Sequence, residues 1–527
     1  MIELNLAAKV LALLVLAAAA ASCDTSYGCS TNAECLSALG DMHICKRAPG
    51  ASIGTCAALL SDDCKTVFGE WQNDDAFLFG SVLPTTGQDT STGLACEDAI
   101  KLAVEDFKQF GPGLPAVPGV DSARRRPLAF VGCSDNSDKL TGSKAARHLV
   151  EDVGVQAIIG PQWSGVTGQV ASDVTIPHNV LLISPSATAR SITDLPDHGL
   201  VWRTSPSDTF QAAAIVQYVA LLEPKIRASR NLMPADKIRV ALIYQGTTYG
   251  LGLYDSLAQS LRMNGTLAFD DANKPYFMTN NYGDPSDPSL PLTAEAAVTA
   301  TLGHNPHLVI DLCTNEGVTQ ILKPVEDRWA TDHTGTPGPL WVLGDGGKIP
   351  ELWAYIAGND NLRKRTTGTV PGSISTLFTN FERKYDAKGF GDGTSPAVLG
   401  PAGSYDSVYL LAYSAVSLGA QPLTGPNLAA GMAALVPGAQ AQKVDVGANN
   451  IRSSFNTLSA GGKIDFDGAS GPLDFDTQIG EAPSDIQIWC MPKDGASQKA
   501  AAAQNSGLYL DASSMTMAGA IDPTCGL

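Results

Sequence analysis

From Asp74 onward the apolar residues come in two formats that alternate along the chain, short unbroken runs and longer stretches with a single apolar face. Ala76-Phe-Leu-Phe-Gly80 is of the first kind and predicts a buried strand. Gly93 to Phe110 is of the second kind, with Leu94, Ala95, Ala99, Leu102, Ala103 and Phe107 spaced to share one side of a helix. The same alternation predicts strands over 127–131, 155–160, 180–184, 240–244, 308–311 and 340–343. Between and after them it predicts helices over 140–150, 170–173, 210–222, 252–263, 294–302 and 317–326. Strands separated by helices build parallel sheets covered on both faces. About 300 residues of such units fit two sheets better than one. The fold class is therefore α/β in two lobes, each a parallel sheet flanked by helices.

Near the C-terminus the rhythm changes. Lys463-Ile-Asp-Phe-Asp-Gly468 and Gly471-Pro-Leu-Asp-Phe-Asp476 predict a strand pair around an Asp-Gly turn, and 486–491 predicts a further strand. The acidic string here lacks the D-x-[DN]-x-[DN]-G spacing of a calcium loop and reads as a solvated turn.

The first residues form a different pattern. Lys9 precedes an apolar run of 12 residues from Val10 to Ala21, followed by Ser22-Cys23. A run of that size is too short to span a bilayer and has the length of a signal-peptide core. The ending Ala20-Ala21-Ser22-Cys23 resembles a bacterial lipobox, with Ala in the place where Leu is preferred. That resemblance implies a signal peptide over 1–22, lipidation of Cys23 and a protein exported to the cell envelope or periplasm.

Cysteine usage agrees with an oxidising compartment. The chain has 11 Cys, so setting Cys23 aside leaves ten to pair. Six of the 11 fall between Cys23 and Cys64. A segment of ~40 residues needs staples to hold a fold, so 23–66 is read as a small disulfide-held spacer. No C-x-x-C pair or neighbouring His pair supports zinc there.

A net charge of −18 excludes a phosphate-reading surface and a polybasic membrane face. Catalytic signals are poor. The seven His contain no H-E-x-x-H, and no Gly-rich phosphate loop is present. Gly50-Ala-Ser-Ile-Gly54 matches the string of a nucleophile elbow, but lacks the strand before and the helix after it that would expose Ser52. No enzyme, cofactor or metal is expected.

Ligand sites in α/β sheets lie at the C-terminal ends of strands. Two turns there are rich in hydroxyls, Pro161-Gln-Trp-Ser-Gly-Val-Thr167 and Ser184-Pro-Ser-Ala-Thr188. Hydroxyls and free N–H groups where a helix starts suit a carboxylate, although Ser and Thr also serve as plain helix caps.

These turns, with Ala157-Ile-Ile-Gly160 before them, Trp202-Arg-Thr204, Tyr244-Gln-Gly-Thr-Thr-Tyr-Gly250 and Ser404-Tyr-Asp-Ser-Val-Tyr-Leu-Leu411 in this order, resemble the type I periplasmic binding protein family. The likeness is to its branched-chain amino acid receptors, and it covers roughly residues 74–490. It implies two lobes, 74–206 with 371–465 and 207–370 with 466–527, joined by crossovers near 203–206, 369–372 and 465–471.

The resemblance also implies site roles. Ser164 and Thr188 would hold a carboxylate, with the Ser186 carbonyl facing an ammonium. Asp345, in Trp341-Val-Leu-Gly-Asp345, would supply the counter-charge. Thr314 stands where the family often has a Tyr, and Tyr249 and Trp163 would be pocket walls. A Cys96–Cys133 disulfide is implied, as some members join these elements. The function implied is capture of a small molecule, an amino acid or a relative, by hinge closure and delivery to an ABC permease. A ligand-binding sensor or stalked interaction protein of the same fold, taking an amide, carboxylate or neutral solute, is the alternative.

Overall fold

A computed structural model of the chain describes residues 27–48, 51–110, 113–119, 124–372, 375–391, 393–492 and 503–525. The 1–22 leader and Cys23 lie outside the described residues. The chain divides into two compact units, Met1–Ala58 and Leu59–Leu527.

In the first unit, three strands, Gly28–Cys29, His43–Lys46 and Gly54–Ala58, form one antiparallel sheet beside the helix Asn32–Leu39. That helix starts on a reciprocal cap: the Thr31 hydroxyl accepts from Glu34 N, and Glu34 accepts from Ser30 N at 2.7 Å. The apolar content is too small for a core, and disulfides Cys29–Cys45 and Cys35–Cys56 take its place. Ser52 is exposed on the loop between the second and third strands.

The second unit holds two sheets. The first has β1 Cys64–Gly69, β2 Phe77–Leu83, β3 Leu128–Ser134, β4 Ala157–Ile159, β5 Leu181–Ser184 and β6 Val201–Arg203, in the order β1-β3-β2-β4-β5-β6. All pairs are parallel except β1 with β3 at the edge. The second sheet has β7 Val240–Tyr244, β8 Phe277–Asn281, β9 Leu308–Leu312, β10 Leu340–Leu343, β11 Thr366–Pro371, β12 Ile486–Cys490, β13 Gln504–Asp511 and β14 Thr516–Gly519. Its order is β8-β7-β9-β10-β11-β12-β13-β14, parallel through β11 and antiparallel beyond.

Six helices matter for the site: α1 Thr90–Phe110, α2 Ser164–Val170, α3 Asp208–Ser229, α4 Thr248–Ala258, α5 Thr376–Lys388 and α6 Pro401–Ser417. Helix α6 is buried over nearly its whole length in the core of the first lobe. The buried Asp106 carboxylate of α1 accepts from Tyr405 Oη (2.5 Å) and Tyr409 Oη (2.7 Å) of α6 and pairs with Lys384 of α5. One hydrogen-bonded charge thereby fixes three helices.

The chain crosses between lobes three times, after β6, after β11 and before β12. The third crossing corrects the sequence reading. Ile464–Asp467 pairs in parallel with Gln442–Asp445, and no strand forms over 471–476. The chain stays with the first lobe until Glu481 bridges to Arg203, then crosses at Ser484–Asp485, where Gly372 N donates to Asp485 O. The period-two pattern of 464–467 is real, with Ile464 and Phe466 buried, but it specifies a face and not a partner. Asp465, Asp467 and Asp474 approach within 4.8 Å of one another, and Lys443 Nζ lies 2.7 Å from Asp467.

The cysteine expectations also change. Cys133 bonds Cys64, its register partner across the antiparallel β1–β3 pair, so the spacer ends before β1 and the first lobe begins there. Cys96 is a buried free thiol on the face of α1 that meets α6, beside Ser404. Cys313 is likewise free, and Cys490 bonds Cys525.

Peptide mapping under non-reducing conditions will give a 64–133 crosslink and none through Cys96. Cys64→Ser opens a loop with a sequence separation of 69, which should cost about 3–4 kcal/mol of stability in a denaturant titration.

Candidate functional site

The hydroxyl-rich turns after β4 and β5 are stitched into one surface. Ser184 Oγ donates to Pro161 O at 2.6 Å, and Ser186 Oγ donates to Gln162 O at 2.9 Å. Ser164 Oγ, at the start of α2, accepts from Thr188 N and Ala189 N, both at 3.2 Å. Those bonds occupy the Ser164 lone pairs and leave its hydroxyl proton for another acceptor. Behind the turns, the buried Arg203 guanidinium donates to Ala189 O (2.8 Å) and Thr193 Oγ1 (2.8 Å) and pairs with Glu481.

The second lobe presents carboxylates. Asp345 follows β10 and is 2 % exposed. Its Oδ1 accepts from Gly346 N at 2.9 Å. Oriented to satisfy both its ends, the Gln211 amide of α3 donates to Asp345 Oδ2 (3.2 Å) and accepts from Thr369 Oγ1 (3.1 Å). Tyr249, from the first turn of α4, brings its hydroxyl beside Asp345, and Gly344 permits that approach: a Cβ there would lie 2.2 Å from Tyr249 Oη. Asp208, the first residue of α3, faces Asp345 and Thr188, and its Oδ2 has no hydrogen-bond partner among the described residues.

Burial and the neighbouring Asp345 push the Asp208 carboxyl up to about 8, against the pull of the Thr188 hydroxyl and Arg203. Burial also raises Asp345. Asp89, just before α1, rises to about 7 through burial and Glu316 across the cleft. It accepts from Ser137 Oγ (2.6 Å) and Trp163 Nε1 (3.1 Å).

A cleft runs between the lobes, with Asp89, Trp163 and Ser164 on one side and Gln245, Tyr249 and Thr314 on the other. Its rim is closed by the Lys139–Asp284 pair at 3.7 Å and by Ser91 Oγ donating to Glu351 at 3.3 Å. Of the residues singled out in the sequence, Trp163, Ser164, Tyr249 and Thr314 line this cleft, while Thr188 and Asp345 lie buried behind it around Asp208. The Ser186 hydroxyl is turned to Gln162, and the Thr314 hydroxyl donates to Glu316 at 2.5 Å. Asp89, Asp208 and Gln211 were not singled out. In the sequence, Ser207-Asp208 reads as an ordinary helix cap, and Asp89 as part of a polar loop.

Residues 78–290 match the family model for periplasmic binding proteins. Over those residues the chain is similar to periplasmic binding proteins, and its fold is their type I fold. The relatives include the Leu/Ile/Val-binding protein BraC3 of Rhizobium johnstonii, 31% identical over 199 residues, which are 37% of this chain and 47% of that one. The Leu/Ile/Val-binding protein of Citrobacter freundii is 30% identical over 27% of this chain and 35% of its own. The chain thus spans half or less of the length of these relatives.

Among solved structures, the branched-chain amino acid transporter substrate binding protein LivJ of Streptococcus pneumoniae, with isoleucine bound, matches 79% of this chain and 96% of its own at TM-score 0.55 and 18% identity. A solute binding protein of Rhodopseudomonas palustris with 3,4-dihydroxybenzoic acid matches 83% and 98% at TM-score 0.58 and 15% identity. At such identities the likeness is one of fold. No helix among the described residues is long and apolar enough to cross a membrane.

The raised carboxyls have a thermodynamic consequence. Between the ordinary carboxylate range near 4 and about 8, the folded protein holds a proton on Asp208 that the unfolded chain has released, so stability falls as pH rises through that window. Thermal unfolding of the ligand-free protein should show this decline from about pH 5 to 8, and Asp208→Asn should flatten it. Parallel profiles for variant and wild type would contradict the assignment.

Proposed function

We propose that this protein captures an α-amino acid between its lobes and hands it to an ABC permease, without transforming it. The observation that carries this reading is the pairing of opposite chemistries across one closed cleft. The first lobe offers the free hydroxyl proton of Ser164, beside Thr188. The second offers Asp345 and Asp208, two buried carboxyls of which Asp208 keeps its proton up to about pH 8, while the neighbouring Arg203 is taken by Glu481. A buried carboxylate pair without a cation is costly, and a ligand ammonium relieves it. Tyr249 and Trp163 supply the apolar walls.

The relatives named for Leu, Ile and Val binding support the same class. An aromatic acid, as in the Rhodopseudomonas structure, lacks the positive charge that these carboxylates call for. Closure around the ligand, with the crossovers as hinges, is the motion that delivers it. Export and anchoring through Cys23 complete the reading: a tethered receptor working beside its permease. A sensor of the same fold would use the same cleft.

Calorimetry with L-leucine and L-isoleucine tests the site. Thr188→Ala should weaken binding about tenfold, the equivalent of one hydrogen bond to a charged group. Asp345→Asn keeps shape and loses charge, so it should weaken binding by more than Thr188→Ala. Equal affinity of wild type and Asp345→Asn, or selective binding of 3,4-dihydroxybenzoate, would replace the amino-acid reading with one of a solute lacking an ammonium.

Anchoring has its own test. In a bacterial host, labelled palmitate should enter the wild type and not Cys23→Ala, and the variant should leave the membrane fraction.

A further inference from the structure

A second cavity lies at the hinge, apart from the residues that line the cleft. It is walled by Thr204, Ser205 and Leu399 of the first lobe and by Lys348, Val370 and Gln487 of the second. All three crossings border it: Thr204 and Ser205 follow β6, Val370 lies at the end of β11, and Gln487 belongs to β12. Lys348 is 5 % exposed, yet its ammonium has no ion pair and no hydrogen bond among the described residues. The Gln487 side chain, 8 % exposed, has no hydrogen-bond partner there either. The hydroxyls of Thr204 and Ser205 are spent on Pro185 O.

The Lys348 nitrogen keeps a little accessible surface, so the ammonium takes its partner from whatever fills the cavity. Relief from its own protein is slight: Glu382 of α5 acts on Lys348 only at a distance, and burial lowers the amine to about 8. At neutral pH it remains mostly a cation. The cavity therefore combines one buried positive charge and one amide donor with the apolar side chains of Val370 and Leu399.

We propose that this hinge cavity binds a small monocarboxylate with an apolar body, its carboxylate on Lys348 and Gln487. The occupant touches both lobes, so its binding favours the arrangement in which they are closed. This site is independent of the amino-acid reading of the cleft.

The test uses isobutyrate, which has the carboxylate and apolar body but no ammonium. Calorimetry on the full chain should show isobutyrate binding that Lys348→Met weakens at least tenfold. Gln487→Leu should weaken it less, and Asp345→Asn should leave it unchanged. Both hinge variants replace a polar group that has no protein partner among the described residues by an apolar one, so their melting temperatures should stay close to that of the wild type. Isobutyrate binding lost in Ser164→Ala and kept in Lys348→Met would place the anion in the cleft and overturn the proposal. Absence of binding to the wild type at about 10 mM, a free energy near −3 kcal/mol, would overturn it too. Neither outcome bears on whether L-leucine binds the cleft.

Discussion

Arg203 ends the last strand of the first sheet with its guanidinium inside the protein, 1 % exposed. It holds the 184–189 turn by two carbonyls, the following segment by Thr193, and the returning chain by Glu481. Its own backbone N–H donates to Gly480 O, so main chain and side chain bind the same returning segment. Removing one member of such a buried pair strands the other, at a cost of about 3–5 kcal/mol. The hydroxyl-rich turn after β5 and two of the three crossings thus share one anchor. That anchor lies wholly within the first lobe.

Part of this architecture was legible in the sequence because parallel strands buried on both faces are continuous apolar runs. Val240–Tyr244 and Leu340–Leu343 were bounded as the structure has them. Helix α6 was legible only through its family motif, because a helix buried all round has no polar face to reveal its period. The C-terminal strands β13 and β14 were missed, and so was the true extent of the first lobe. Both depend on which distant strand a segment pairs with, and that information is not local. The cysteines teach the same lesson: Cys64 and Cys96 are equally available to Cys133 in the sequence, and the β1–β3 register decides between them.

At the site, residues at strand ends were legible and residues at helix starts were not. Ser164, Thr188 and Asp345 stand after β4, β5 and β10, where α/β sheets present their ligands. Asp208 and Asp89 open helices or precede them, and an acidic residue there ordinarily serves the helix itself. Their role at the cleft becomes visible only when the lobes are brought together, since each faces a carboxylate of other elements, Asp345 and Glu316.

The loop after β10 then explains how one interface can hold both signs of charge. Asp345 and Lys348 are three residues apart, with Gly346 and Gly347 between them. A Cβ on Gly346 would lie 2.6 Å from Cys313 O, and one on Gly347 would lie 3.0 Å from Leu343 Cβ, so side chains are excluded from the tight turn that separates the two. Asp345 goes to Tyr249 and Gln211 at the cleft, and Lys348 to the hinge cavity. Had the turn allowed them to meet, they would have neutralised each other as a buried ion pair. Two glycines keep the carboxylate and the ammonium apart. That separation leaves a carboxyl at the cleft and an amine at the hinge.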